Sequence, residues 1–153
     1  MSMNLILTAL AVVAGVAVAF QGATNQALLK SVGIGPALIV NTVVVLVGTI
    51  ILWLATGAPM DFFPAEAPWT VYLGGVFGFV IIAVVALAFP RLGAAYAIAL
   101  MVCGQCLAGM LIDHFGLLGM QPSPATLPRM AGVLLVALGV VVFRLAGSGT
   151  PTP

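Results

Sequence analysis

Long, continuous apolar runs are the feature that most constrains what this chain can fold into. A helix that crosses the hydrocarbon core of a bilayer needs about 20 apolar residues, and runs of about that length fill most of the sequence. The runs do not alternate with polar residues, which excludes a transmembrane β-barrel. We therefore predict an all-α membrane protein with five transmembrane helices. The predicted spans are residues 4–29, 34–56, 69–89, 92–112 and 130–145.

Short connections rich in glycine and proline separate these spans. Gly33 interrupts the chain between the first two, and Pro90 predicts that the third helix ends at Phe89 and is followed by a tight turn. Such connections leave no room for a separate soluble domain. Residues 1–146 are therefore predicted as a single transmembrane domain, followed by a polar, proline-rich tail over residues 147–153.

Charged side chains are too scarce to cover a water-soluble surface. Only 5% of the residues are charged, against about 25% in soluble domains. The formal net charge of +1 provides no basic patch for nucleic acid. Lys30, Arg91 and Arg144 fall on one side of the five spans and Arg129 falls on the other. This distribution predicts an outside N-terminus and a cytoplasmic C-terminus, and so small a difference is also typical of a chain that inserts in both orientations.

Small residues predict close packing of the helices. Lipid tails offer no hydrophobic contrast, so helices in a bilayer pack through small residues that let their backbones approach. This packing serves either one chain or two copies of it. Cys103 and Cys106 are interpreted as two more small packing residues, because adjacent turns of one helix rarely offer disulfide geometry. The predicted packing glycines are Gly15, Gly22, Gly74, Gly78, Gly132 and Gly139.

The middle of every predicted span lacks Asp, Glu, Lys and Arg. A carboxylate within the membrane is the usual group for exchanging protons against cations, so its absence argues against simple proton exchange of organic cations. Asp113 lies at the end of the fourth span, and Arg129 opens the fifth span on the same side. We predict an interfacial ion pair between them, and a gating or ion-coupling role for Asp113 is the alternative.

Uncharged polar side chains are the candidate ligands of a substrate. Gln21 and Asn25 share one face of the first helix, and Gln105 lies at a comparable depth in the fourth. A buried amide must find a partner, either in another helix, which fixes packing, or in a polar pocket or water path. The predicted substrate-binding residues are Gln21, Asn25, Asn41, Tyr96 and Gln105.

The sequence shows no arrangement of side chains that is typical of a catalytic site. The sequence contains no HExxH motif, no phosphate-binding glycine loop and no supported Ser–His–Asp set. The single histidine, His114, is interpreted as part of a solvated helix end. We predict that the protein is not an enzyme and that it has no cofactor and no metal site.

Several short motifs, taken in order, resemble a known family. Over about residues 4–146 the chain is similar to the YdcZ-like family of short bacterial inner-membrane proteins, which belongs to the drug/metabolite transporter superfamily. The motifs are Gln21-Gly22-Ala23-Thr24-Asn25, Gly74-Gly75-Val76-Phe77-Gly78, Pro90-Arg91-Leu92-Gly93, Gly104-Gln105, Ile112-Asp113-His114-Phe115-Gly116 and Arg129-Met130-Ala131-Gly132.

This resemblance implies a secondary transporter of the bacterial inner membrane, an exporter of a small metabolite or toxic compound. Ten-helix members of the superfamily resemble two five-helix halves of opposite orientation, so a five-helix chain implies an antiparallel homodimer with alternating access. The implied partners are a second copy, the lipid bilayer and a small-molecule substrate. The related small multidrug resistance family carries a glutamate in its first helix, where the nearest polar residue here is Gln21. A passive channel and a structural or accessory subunit stay open as alternatives.

Overall fold

Helices account for nearly all of the described chain. The computed structural model describes residues 3–59 and 67–147, and within them five helices are long and apolar enough to cross a membrane and no strand occurs. The prediction of an all-α protein with five transmembrane helices is therefore confirmed. The helices are α1 (Met3–Val32), α2 (Ile34–Thr56), α3 (Leu73–Leu92), α4 (Ala94–Phe115) and α5 (Leu127–Gly147), and short 3₁₀ turns cover Trp69–Tyr72 and Leu117–Gly119.

The end of α3 differs from the prediction. The helix does not end at Phe89 but continues through Pro90 to Leu92. A proline removes one backbone donor and crowds the preceding turn, which breaks most helices in their middle. Here only two residues of the helix follow the proline, so few helical hydrogen bonds lie beyond it. The interruption between α3 and α4 is the single residue Gly93.

Several other helix ends also extend past the predicted spans, whereas α2 has the predicted bounds of 34–56 and α3 and α4 begin inside their predicted spans, at Leu73 and Ala94. α1 continues through Lys30 to Val32, and α4 continues through His114 to Phe115. Backbone hydrogen bonding does not stop where a polar side chain appears, so the end of an apolar run does not fix the end of the helix. Residues 148–153 of the predicted tail lie outside the described residues, and the single domain over residues 1–146 stays a prediction.

Contacts divide the chain into two compact units, Met1–Arg91 and Leu92–Pro153. In the first unit α1 packs against α2, and the last turns of α3 meet α1 where Val85 and Phe89 lie against Gly22. In the second unit α4 and α5 form a helical hairpin. One of the two grooves described below lies within each unit.

The apolar core of the described residues is small. Most large apolar side chains of the five helices are exposed on the surface of the chain. In water such a surface would drive aggregation, whereas in a bilayer it meets lipid tails. The buried apolar residues are Ala37, Val85, Ala86, Phe89 and Ala97.

The junctions that open α2 and α4 have the same local structure. Gly33 has φ 82° and ψ 170°, and Gly93 has φ 81° and ψ 146°, a combination that essentially only glycine adopts. The carbonyl of Gly33 accepts from the amide of Ala37 at 3.2 Å, and the carbonyl of Gly93 accepts from the amide of Ala97 at 3.1 Å. Both alanines are buried. One glycine at each junction thus lets two long helices follow each other with no further loop.

Candidate functional site

The strongest candidate for a substrate site is a groove between α2 and α3 in the first unit, here called the Asn41 groove. Its α2 residues repeat at intervals of three and four, which places them on one helix face. A Cβ added to Gly75 or Gly78 on α3 would meet no atom within 4 Å, so the opposite wall is open. The groove holds about 360 Å³, and its lining residues are Leu38, Asn41, Thr42, Val45, Gly75, Gly78, Phe79 and Ile82.

Asn41 determines the chemistry of this groove. Its side-chain nitrogen Nδ2 is buried and has no hydrogen-bond partner in the described part of the chain. Thr42, the other polar residue of the lining, donates its hydroxyl to the carbonyl of Leu38 at 2.9 Å and is thereby satisfied. An unpaired buried amide costs about 1–3 kcal/mol. A bound group that accepts a hydrogen bond from Asn41 would recover that cost.

The two polar residues predicted to share a face of α1 have different surroundings. Asn25 is only 9% exposed, whereas Gln21 is exposed. The buried stripe of α1 consists of Gly22 and Asn25, which are three residues apart. Gln21 lies just outside the edge of this stripe. The structure therefore places Asn25 inside the first unit and Gln21 on the surface of the chain.

The remaining two predicted ligands lie on α4 in the second unit. Tyr96 is half-buried and Gln105 is exposed. Gln105 sits in the middle of α4, and neither of its neighbours in the chain is charged. The amide of Gln105 is therefore exposed to the surroundings of the chain in the middle of α4.

The second unit contains its own groove, between α4 and α5, here called the hairpin groove. It holds about 300 Å³, and its walls are mainly apolar. The pair predicted from the sequence lies at one end of it, where Arg129 Nη2 is 3.4 Å from Asp113 Oδ2. The lining residues are Cys106, Gly109, Met110, Asp113, Arg129, Gly132, Val133 and Val136.

The loop between α4 and α5 is attached to the end of α4 around this ion pair. Ser123 donates its amide to the carbonyl of Asp113 at 2.7 Å, and the amide of Ala125 donates to His114 Nδ1 at 3.2 Å. Arg129 Nη1 donates to the hydroxyl of Ser123 at 2.9 Å. These bonds hold the guanidinium beside the carboxylate at the mouth of the hairpin groove.

Comparison with protein families agrees with the architecture. A family model described as "Putative inner membrane exporter, YdcZ" matches residues 6–142, a range that includes parts of all five helices. The chain belongs to the YdcZ family. It is accordingly a multi-pass membrane protein of an exporter family. Comparisons with curated proteins and with solved structures found no significant match.

The glycines predicted to pack helices of this YdcZ-family protein divide into two groups. A Cβ added to Gly22 would collide with the ring of Phe89 and approach Val85 Cγ1 to 2.9 Å. Within the described chain, a Cβ at any of the other five would meet no atom within 4 Å. These five are Gly15, Gly74, Gly78, Gly132 and Gly139.

Several residues with a role in the geometry were not among the predicted ligands. Gly75 and Phe79 line the Asn41 groove, and Ser123 binds Arg129. The spacing of Gly75 and Gly78 could have indicated that Gly75 shares the face of Gly78. Residues three apart lie on one helix face, and so do residues four apart. The sequence around Ser123 offered no comparable signal.

Metal ligands are not clustered in the part of the chain that the structure describes. No group of three or more His, Cys, Asp or Glu side chains could hold a metal ion there. Cys103 and Cys106 form a C-x-x-C step within α4, and both thiols are free and half-buried.

Proposed function

We propose that this YdcZ-family protein is a secondary transporter that exports a small metabolite or toxic compound across the bacterial inner membrane. The observation that carries the proposal is the unpaired, buried Nδ2 of Asn41 beside an open groove. A structural amide would be expected to bond within the fold. An amide that is buried but unpaired is suited to a solute that binds and leaves.

The chemistry of the groove favours a neutral or zwitterionic solute. An asparagine side chain both donates and accepts hydrogen bonds, and the other lining residues of the Asn41 groove carry no charge. The one acidic residue in the described helices is Asp113, at the end of α4. A bare organic cation would therefore find no counter-charge in the Asn41 groove.

The working unit in this proposal is an antiparallel homodimer with alternating access. Gln21 and Gln105 are both exposed on the chain within apolar helices. An amide facing hydrocarbon is unfavourable unless a neighbouring helix supplies a partner. A second copy supplies such partners, and an inverted copy also rebuilds the pair of opposed halves found in larger transporters.

Reconstitution tests the transport activity directly. Purified protein in liposomes should take up its solute with saturation, and unlabelled solute inside the vesicles should accelerate the uptake of labelled solute. This counterflow is expected because a carrier reorients with its site loaded. A channel would give fast flux without counterflow, and an accessory subunit would move nothing.

The topology of the tail tests the antiparallel arrangement. In a variant with Cys103 and Cys106 replaced by alanine and Ser148 by cysteine, we expect a membrane-impermeant thiol reagent to label a substantial fraction of the tail in intact spheroplasts. An antiparallel dimer needs both orientations, and an odd number of spans then places tails on both sides. Two lysines inserted after Gly147 should reduce the labelled fraction. A tail that is uniformly protected without these lysines would contradict the antiparallel dimer.

A further inference from the structure

We infer that the hairpin groove is a binding site for one zwitterionic phospholipid that carries a primary ammonium group. The headgroup lies at the Asp113–Arg129 pair and an acyl chain follows the groove between α4 and α5. This site belongs to the second unit, so the inference does not depend on the Asn41 groove.

The arrangement of polar and apolar groups in the groove matches that of a membrane lipid. Both charges lie at one end, where α4 finishes and α5 begins. From there the lining runs to Cys106 on α4 and Val136 on α5. Seven residues of helix correspond to about 10 Å. The groove therefore extends from the boundary of the membrane into its apolar interior, as a lipid does.

Glycines keep this groove open. Gly109 and Gly132 are among its lining residues, and a Cβ at either position would meet no atom within 4 Å. Larger side chains there would project into the space that an acyl chain needs. The apolar walls on either side, including Met110 and Val133, match the chemistry of that chain.

The ion pair retains the capacity to bind a headgroup. Its separation of 3.4 Å is long for a charge-assisted hydrogen bond, which is usually about 2.7–2.9 Å. The side chains of Arg129 and Asp113 are 45% and 37% exposed. Within the described residues, Asp113 Oδ1 accepts no hydrogen bond and Arg129 Nε donates none. A phosphate can therefore approach the guanidinium while an ammonium approaches the carboxylate.

A zwitterionic lipid fits this end of the groove better than a protein helix does. A helix laid along the groove would remove both charges from water, and the desolvation cost of such a pair is often larger than its Coulombic gain. A second copy offers few charges to compensate, because the whole chain contains four basic and three acidic residues. A headgroup supplies one charge of each sign and leaves the pair at the aqueous boundary.

Thermal unfolding of the full-length protein in detergent, with added dioleoyl phosphatidylethanolamine, tests the site. A ligand that binds only the folded state raises the melting temperature, by roughly 5–10 °C at about a hundredfold excess over its Kd. We expect a saturable rise of that size. The rise should be much smaller with dioleoyl phosphatidylcholine, whose ammonium lacks N–H donors, and with dioleoyl phosphatidylglycerol, which has no ammonium.

Two pairs of variants locate the effect. Gly132→Leu fills the groove without changing charge and should abolish most of the rise, whereas Gly139→Leu, one heptad along α5 and outside the groove, should retain it. Arg129→Gln should weaken the rise, and Arg144→Gln at the other end of α5 should not. If one variant of a pair fails to fold, the other pair still tests whether the lipid binds in the hairpin groove.

Three results would overturn the inference. Equal rises of the melting temperature with all three lipids would show that the protein does not distinguish the headgroups. A full rise in Gly132→Leu or in Arg129→Gln would place the lipid elsewhere. An equal rise with free phosphoethanolamine would show that the groove contributes nothing and that the ligand is a small zwitterion. None of these measurements involves transport, so the proposed export function stands or fails separately.

Discussion

Gly22→Leu should leave almost no folded protein. The added side chain would occupy the position of the Phe89 ring, and its Cβ would also approach Val85 Cγ1 to 2.9 Å. Phe89 and Val85 are 3% and 5% exposed, so neither has free space into which it can move. Overpacking a filled core costs about 1–3 kcal/mol for added methylenes, and here the collision begins at the first carbon. The core of the first unit has few other apolar contacts to offset the loss.

The matched control is Gly15→Leu on the same helix. A Cβ at Gly15 would meet no atom within 4 Å, and leucine is favourable in hydrocarbon. We expect Gly15→Leu to elute from gel filtration as the parent protein does, with an unchanged unfolding midpoint. Gly22→Ala should be destabilised, and Phe89→Leu should partly restore it, because a shorter side chain makes room at the same contact. Equal folding of Gly15→Leu and Gly22→Leu would mean that α3 does not lie against α1 at this point.

The contrast between Gly15 and Gly22 shows which features of this fold are readable in a sequence. The five spans could be predicted because the thickness of the bilayer sets a minimum length for an apolar helix. The packed face of each helix could not, since protein-facing and lipid-facing positions are equally apolar in a membrane. Gly15 and Gly22 have the spacing of a shared packing face, yet within the described chain only Gly22 has a close neighbour.

The polar residues of the candidate site lead to a similar conclusion. Hydropathy identified Asn25, Asn41 and Gln105 as unusual because amides are costly in hydrocarbon. It gave no indication that Asn25 would be buried, that Asn41 would face a groove or that Gln105 would be exposed. Those properties depend on which helices are adjacent. The end of α3 was misplaced for a related reason, because the effect of Pro90 depends on how much helix follows it.

Asn41→Leu should reduce transport about tenfold without destabilising the protein. The buried Nδ2 has no partner in the described part of the chain, so leucine removes an unsatisfied donor and breaks no hydrogen bond there. The free energy of unfolding should stay constant or rise by up to about 1–3 kcal/mol. A solute that binds through this amide would lose about 1.4 kcal/mol of affinity, which corresponds to a factor of ten.

Filling the groove from its other wall provides an independent test of the same site. Gly78 lines the Asn41 groove and Gly74 does not, although both lie on α3 and neither would bring an added Cβ within 4 Å of another atom. Gly78→Leu should therefore block flux by occupying the space beside Asn41, while Gly74→Leu should transport normally. Flux per folded molecule and melting temperature should be measured on the same preparations.

If Asn41→Leu instead lowered the melting temperature or dissociated the dimer while flux per folded molecule stayed normal, the amide would be a packing contact between copies. Equal flux in Gly74→Leu and Gly78→Leu would remove the groove from the transport path.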